Sequence, residues 1–188
     1  MAIKIFIDQG HNPVNPNAGA EAGGVREQDI TYEVGVRLAR LLNDNPNFEA
    51  RLSRNSPTEQ LGTSNATSLQ TRARMANEWG ADFFISLHCN ASTIETASGS
   101  EAYVYSRESP ANSMAFRILE GLHNRTGLPN RGVFVRPSLY VLRATQMPAV
   151  LVELGFITNP YDRSLLVEDP QGFARGVYNG ILSFYGLQ

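Results

Sequence analysis

Lysine is nearly absent from this 188-residue chain: Lys4 is the only one. That excludes a P-loop, whose phosphate cradle ends in a lysine, and a Ser-x-x-Lys nucleophile pair. Cysteine is as scarce. Cys89 stands alone, so an intramolecular disulfide framework and an all-cysteine zinc site are both excluded. The three histidines, His11, His88 and His123, lie too far apart for a helix-borne His-Glu-x-x-His site, and neither Gly-x-Ser-x-Gly nor Gly-x-Gly-x-x-Gly occurs. Charged residues make up only 18%, with a net charge of −2, which gives no long-range field for drawing in nucleic acid or an anionic membrane. No 18 apolar residues run together, so no membrane span is expected. The first residues enter a strand-like pattern directly, with no signal-peptide core or cleavage site, although a leader already removed would leave the same reading.

What is present describes an ordinary folded domain. Apolar residues account for 42% of the chain, too many for disorder. A chain of this size buries roughly 70% of the surface its unfolded form exposes, enough to fold without disulfides or a structural metal. No repeat, low-complexity tract or linker interrupts it, so residues 1–188 are expected to form one domain.

The hydrophobic pattern alternates strands with helices. Ile3, Ile5 and Ile7 share one face of a strand; an Asn/Pro/Gly-rich stretch from Gln9 to Val25 is too long for a tight turn and reads as a functional loop. Ile30, Val34, Leu38, Leu41 and Leu42 fall at helical spacing, and a short strand is expected at Phe48–Ser53. Ser68 reads as the cap of a second helix bearing Leu69, Ala73, Ala76 and Trp79. Further strands are expected at Asp82–Cys89, Glu101–Tyr105, Leu139–Leu142 and Ala149–Leu154, with helices at Pro110–Asn124 and Gln171–Tyr185. Gly172, Gly176 and Gly180 recur at one-turn spacing, which suggests close packing of the last helix on a sheet. The fold class is therefore α/β: a twisted, mostly parallel or mixed central sheet with helices on both faces.

Open α/β sheets place their sites beyond the carboxyl ends of the strands. Three strands here end in unusual polar residues: Asp8-Gln9-Gly10-His11, His88-Cys89-Asn90, and Glu153 before Leu154-Gly155-Phe156. Glu27 closes the long first loop. If the strands are neighbours, two imidazoles and two carboxylates meet, the inventory of a catalytic Zn²⁺ with three protein ligands, an open position and a general base. The inventory does not say which glutamate binds metal. Each residue also has a plain structural role: a histidine hydrogen-bonded at a strand end, or Glu27 favouring a helix dipole. Glu153 resists that treatment, since an ionisable group ending an apolar run is costly unless paired. Strand alternation puts His88 on a face with Ser86 and Phe84 and turns Cys89 toward the core; His123 reads as solvent-facing.

The residues also carry a resemblance. Phe6-Ile7-Asp8-Gln9-Gly10-His11, Gly24-Val25-Arg26-Glu27, Leu69-Gln70-Thr71-Arg72 with Ala76-Asn77, Ser86-Leu87-His88-Cys89-Asn90-Ala91, and Pro148 through Asn159 around Glu153-Leu154-Gly155-Phe156 stand in this order. Together they resemble the zinc-dependent N-acetylmuramoyl-L-alanine amidases of the type-three amidase family, over nearly the whole chain. The resemblance implies that His11, Glu27 and His88 bind one Zn²⁺ and that Glu153 is the catalytic carboxylate. It implies hydrolysis of the amide joining the lactyl group of N-acetylmuramic acid to L-alanine of peptidoglycan. Asn90 would line the substrate groove, or simply shape a turn, and Asp8 would support a ligating histidine.

Peptidoglycan is then the partner, a monomer is expected, and action at the bacterial cell wall, extracellular or periplasmic, follows. Many relatives read Gly-His-Gly where this chain has Gly10-His11-Asn12-Pro13, which leaves the loop shape open. Some carry a long regulatory helix after the Asn-Ala segment; only Ser92 to Ser100 stand there in this chain, so an open site is expected. No wall-binding repeats stand in the sequence given, so targeting is expected either from a partner or from segments outside it, or the chain is a catalytic module such as a phage lysin or sporulation amidase could supply. The alternatives are a zinc exopeptidase and a catalytically silent wall-binding module.

Overall fold

The computed structural model describes residues 1–187. The elements, in chain order, are β1 (Ile3–Gln9), β2 (Glu21–Ala22), β3 (Val25–Arg26), α1 (Glu27–Asn43), β4 (Phe48–Leu52), α2 (Asn65–Trp79) and β5 (Phe83–Asn90). There follow β6 (Ser100–Val104), α3 (Pro110–Thr126), β7 (Asn130–Val135), α4 (Tyr140–Ala144), β8 (Ala149–Phe156), α5 (Pro160–Glu168) and α6 (Pro170–Tyr185).

Six strands form one sheet in the order β4-β1-β5-β8-β6-β7, while β2 and β3 make a separate two-stranded ribbon. Strands β4, β1, β5 and β8 run parallel; β6 is antiparallel to β8 and parallel to β7. The mixed α/β architecture is the one the alternating pattern predicts. Ile5, Ile7, Ile85, Leu87, Val150, Val152 and Leu154 turn to one face and build the larger core with α1, α3 and α6. Phe6, Phe84, Ala149 and Leu151 turn to the other, packing with Ala76 of α2 and with Val141 and Leu142 of α4. No described helix is long and apolar enough to cross a membrane.

The local departures from expectation have physical causes. Helix α2 starts one turn earlier than Ser68, because Ser64 and Thr67 form a reciprocal capping box and Ser68 is buried inside the helix. The expected strand at Leu139–Leu142 is instead the short helix α4: this segment crosses the sheet from its β7 edge to central β8, burying Val141 and Leu142 on the way. Edge strand β7 escapes detection because its sequence, NRGVFV, is largely exposed and lacks a buried alternating face. Helix α5, also unanticipated, is capped by Asn159, whose Oδ1 accepts from the Tyr161 and Asp162 amides ahead of a favourable Pro160.

Nor do the glycines of α6 face the sheet. Gly176 and Gly180 face α3, where a Cβ on Gly180 would lie 2.4 Å from Ile118 Cα and 2.5 Å from Arg117 O. Both obstacles are backbone, so Gly180→Ala must push the helices apart. Alanine gains about 1 kcal/mol of helix propensity, and overpacking costs about 1–3 kcal/mol with clashes this close at the upper end. A melting temperature lower by roughly 2–6 °C in a thermal melt is expected.

Candidate metal centre

Strand register sets the site. β5 and β8 pair so that His88 stands beside Glu153, and Glu153 in turn faces Glu101 across the antiparallel β6 pairing. Registered neighbours point to the same face, so one row at this end of the sheet carries an imidazole and two carboxylates. His11 arrives from the loop after β1, in left-handed backbone at φ 69°. Glu27 opens α1, its amide donating to Ala20 O at 2.9 Å.

Three of these side chains converge. Glu27 Oε1 lies 3.2 Å from His11 Nε2 and 3.1 Å from His88 Nδ1, and the two rings meet edge-on with centroids 4.8 Å apart. Two backbone amides fix the carboxylate: Cys89 N–H donates to Oε1 and Ala20 N–H to Oε2, each at 2.9 Å. Two glycines let these groups sit against backbone. A Cβ on Gly10 would lie 2.5 Å from His88 Cε1, and one on Gly19 would lie 2.8 Å from Glu27 Oε2 and 2.9 Å from His11 Cδ2. The histidines remain 21% and 19% exposed, so the cluster opens to solvent. The segment from Ala91 to Gly99 joins β5 to β6 without a helix over it.

The electrostatics separate the two site glutamates. Burial raises the Glu27 carboxyl, but hydrogen bonds from His11 and His88 and the charge of those rings outweigh it and hold the group well below the usual carboxylate range. Glu153 has no such partners. Burial raises it, the carboxylates of Glu27 and Glu101 raise it further, to about 8, and its Oε2 is buried with no hydrogen-bond partner.

The donor set fits a zinc ion. A tetrahedral ion with bonds of roughly 2.0–2.1 Å holds its ligand atoms about 3.3 Å apart, and the two Glu27 contacts fall close to that value. The three donors all lie within 4.8 Å of one another.

The remaining candidates are placed as follows. Asn90 lies at the end of β5, where its Nδ2 donates to Glu101 Oε1 at 2.7 Å and its Oδ1 accepts from the Ala91 amide. Asp8 contacts neither imidazole by hydrogen bond; it pairs with Arg72 at 2.6 Å and accepts from Ser86 Oγ at 2.7 Å. Burial raises the Asp8 carboxyl, and Arg72 with Ser86 more than reverses this. Cys89 is a core residue, 4% exposed, whose thiol is pushed up by burial. His123 is exposed, with Nδ1 2.8 Å from Leu128 O. Asn12, directly after His11, is fully buried and ties the loop by hydrogen bonds to Pro16 O and Leu61 O.

Glu101 was not among the expected site residues. It is 7% exposed and held by Asn90, Tyr103 and Arg131. Its signal in the sequence was a carboxylate opening an otherwise apolar strand.

Comparison with known proteins identifies the family. A family profile described as N-acetylmuramoyl-L-alanine amidase matches residues 5–183. The amidase CwlM of Bacillus licheniformis is 34% identical over 98% of this chain and 70% of its own length. The LytC amidase of Bacillus subtilis is also 34% identical, but the match spans only 35% of that protein. Among solved structures, an N-acetylmuramoyl-L-alanine amidase from Clostridium difficile 630 superposes with a TM-score of 0.87 at 28% identity, covering 98% of this chain and 97% of the other. With a match over nearly all its length and a fold shared with solved members, the chain belongs to the N-acetylmuramoyl-L-alanine amidase family.

Proposed function

We propose that the protein hydrolyses the amide joining the lactyl group of N-acetylmuramic acid to L-alanine of peptidoglycan, with one Zn²⁺ per chain as cofactor. The observation that carries this reading is the convergence of His11 Nε2, Glu27 Oε1 and His88 Nδ1 beside an unpaired Glu153. Relatives matching over 98% or more of this chain include the CwlM amidase and the endolysin of Bacillus phage SPP1. Action at the bacterial cell wall follows from such a substrate. One chain supplies every donor, so a monomer suffices.

His11, Glu27 and His88 would hold the ion, which when bound supplies a Lewis acid for the scissile carbonyl and acidifies water at the site. Glu153 takes the proton from the attacking water and returns it to the nitrogen of the departing L-alanine. Burial and the neighbouring carboxylates of Glu27 and Glu101 raise the Glu153 carboxyl in the metal-free protein, which favours its taking up a proton. Glu101, fixed by three partners, stands opposite Glu153 in the β6–β8 pairing and helps raise its carboxyl. Asn90 borders the groove through its bond to Glu101.

Product analysis of a digest of purified cell walls tests the reading. Free lactyl carboxylates on muramic acid, together with stem peptides bearing new L-alanine amino termini, are expected. Release of free amino acids would instead mean an exopeptidase, and sedimentation with walls that stay intact would mean a binding module.

A further inference from the structure

His11 lacks the usual means of orienting a metal-binding imidazole. Such rings ordinarily donate their second N–H to a carboxylate, carbonyl or water. Here Nε2 faces Glu27, and Nδ1 is buried without a hydrogen-bond partner. Beyond its contacts with Glu27 and the His88 ring, the imidazole takes its direction from the backbone that carries it, which holds a left-handed φ of 69° in a non-glycine residue next to Gly10.

Two side chains grip that backbone: Thr31 Oγ1 donates to Gly10 O at 2.8 Å, and Arg72 holds the carbonyls on either side. Arg72 projects from α2 and is 1% exposed. Its Nη1 donates to Gln9 O at 2.6 Å and to Asp8 Oδ1 at 2.6 Å. Nη2 donates to His11 O at 2.5 Å and Asn12 Oδ1 at 3.2 Å, and Nε to Ser68 Oγ at 3.4 Å. All five guanidinium donors are thereby used. The two carbonyls it holds bracket Gly10, so a single planar group spans the turn that aims His11. Asp8, itself 1% exposed and tied to Ser86, supplies the countercharge that lets the guanidinium stay buried.

We infer that Arg72, anchored on Asp8, is a positioning residue for the metal centre: by holding the Gln9 and His11 carbonyls it fixes the direction of the His11 imidazole. This rests on the reading of His11 as a zinc ligand. Lysine cannot replace it fully, because an ammonium is a point donor with three hydrogens and cannot span both carbonyls and the carboxylate in one plane.

The test compares Arg72→Lys with the parent and with Ile181→Ala, a core variant of α6 one turn before Phe184, which packs on Phe83 at the start of β5, the end of the sheet opposite the loop; it is chosen to lose a similar amount of thermal stability. Zinc affinity is read by chelator competition, and motion of the His11 ring by ¹³C relaxation at Cε1. Arg72→Lys is expected to weaken zinc binding about 10–100-fold and to give the His11 ring nanosecond motion, while Ile181→Ala changes neither. Parent-like affinity and ring order in Arg72→Lys would overturn the inference, as would an equal loss in Ile181→Ala at matched stability. If Arg72→Lys does not fold, Asp8→Asn carries the same comparison, since it keeps the acceptor but removes the anchoring charge. Should the parent itself bind no zinc, the metal reading fails, and the ring-motion comparison still decides the role of Arg72.

Discussion

His88→Ala is expected to lose bound zinc and wall-degrading turnover together, the latter by about three orders of magnitude or more. A metal of this kind lowers the pKa of water from 15.7 to about 7, and nothing else in the donor cluster generates a comparable nucleophile. Treating the parent with a strong chelator should abolish stem-peptide release in the same way, and added zinc should restore it. The loss in His88→Ala should resist added zinc, because Glu27 would then face His11 alone. His123→Ala is the control: its ring is exposed and bonds only to a nearby carbonyl, so metal content and rate should stay at parental values. Full turnover in a demetallated sample would remove the basis of the proposed mechanism.

Glu153→Gln is expected to act in opposite directions on activity and stability. Loss of the proton carrier should cost about two to four orders of magnitude in turnover with zinc retained. The metal-free protein should become more stable, with a definite pH dependence. An unfolded carboxyl titrates near 4.3, whereas the folded group is raised to about 8. Below about pH 4 both states are protonated and the group costs nothing. Between these values the folded state keeps a proton that the unfolded state has lost, so stability falls as pH rises, by about 1.4 kcal/mol per unit. At pH 7 the deficit is on the order of 3 kcal/mol, and it levels off above about pH 8. Glutamine removes it. Thermal melts in chelator should therefore show variant and parent nearly equal near pH 4.5 and diverging steadily toward pH 8. Bound zinc brings a compensating positive charge, so the divergence should shrink in the loaded protein. A difference that ignores pH would mean that Glu153 is not held protonated by its surroundings.

These two residues illustrate how differently the parts of the site could be read beforehand. His88 and Glu153 end apolar strands, and period-two alternation alone assigned His88 to the face of Ser86 and Phe84. The structure pairs the two residues directly across β5 and β8. Glu27 was ambiguous, since a carboxylate in the first turn of a helix favours the dipole whether or not it does anything more. What separates those roles is the reach of its carboxylate to His88 and the Cys89 amide, 61 and 62 residues away. Asp8 was read as a partner of a histidine; it pairs instead with Arg72, which the sequence presented only within one of the segments that carry the resemblance.

The sequence by itself determined the α/β class, the strands that end at the site, and the residue types available for chemistry, because hydrophobic period and strand-end position are properties of neighbouring residues. The tertiary structure decided the strand order, the reversed direction of β6 and β7, the packing of the α6 glycines on α3, and the grip of Arg72 on the loop behind His11. Each of these depends on groups 30 or more residues apart meeting within a few ångströms, and such meetings are set by the burial of whole elements rather than by any local preference of the chain.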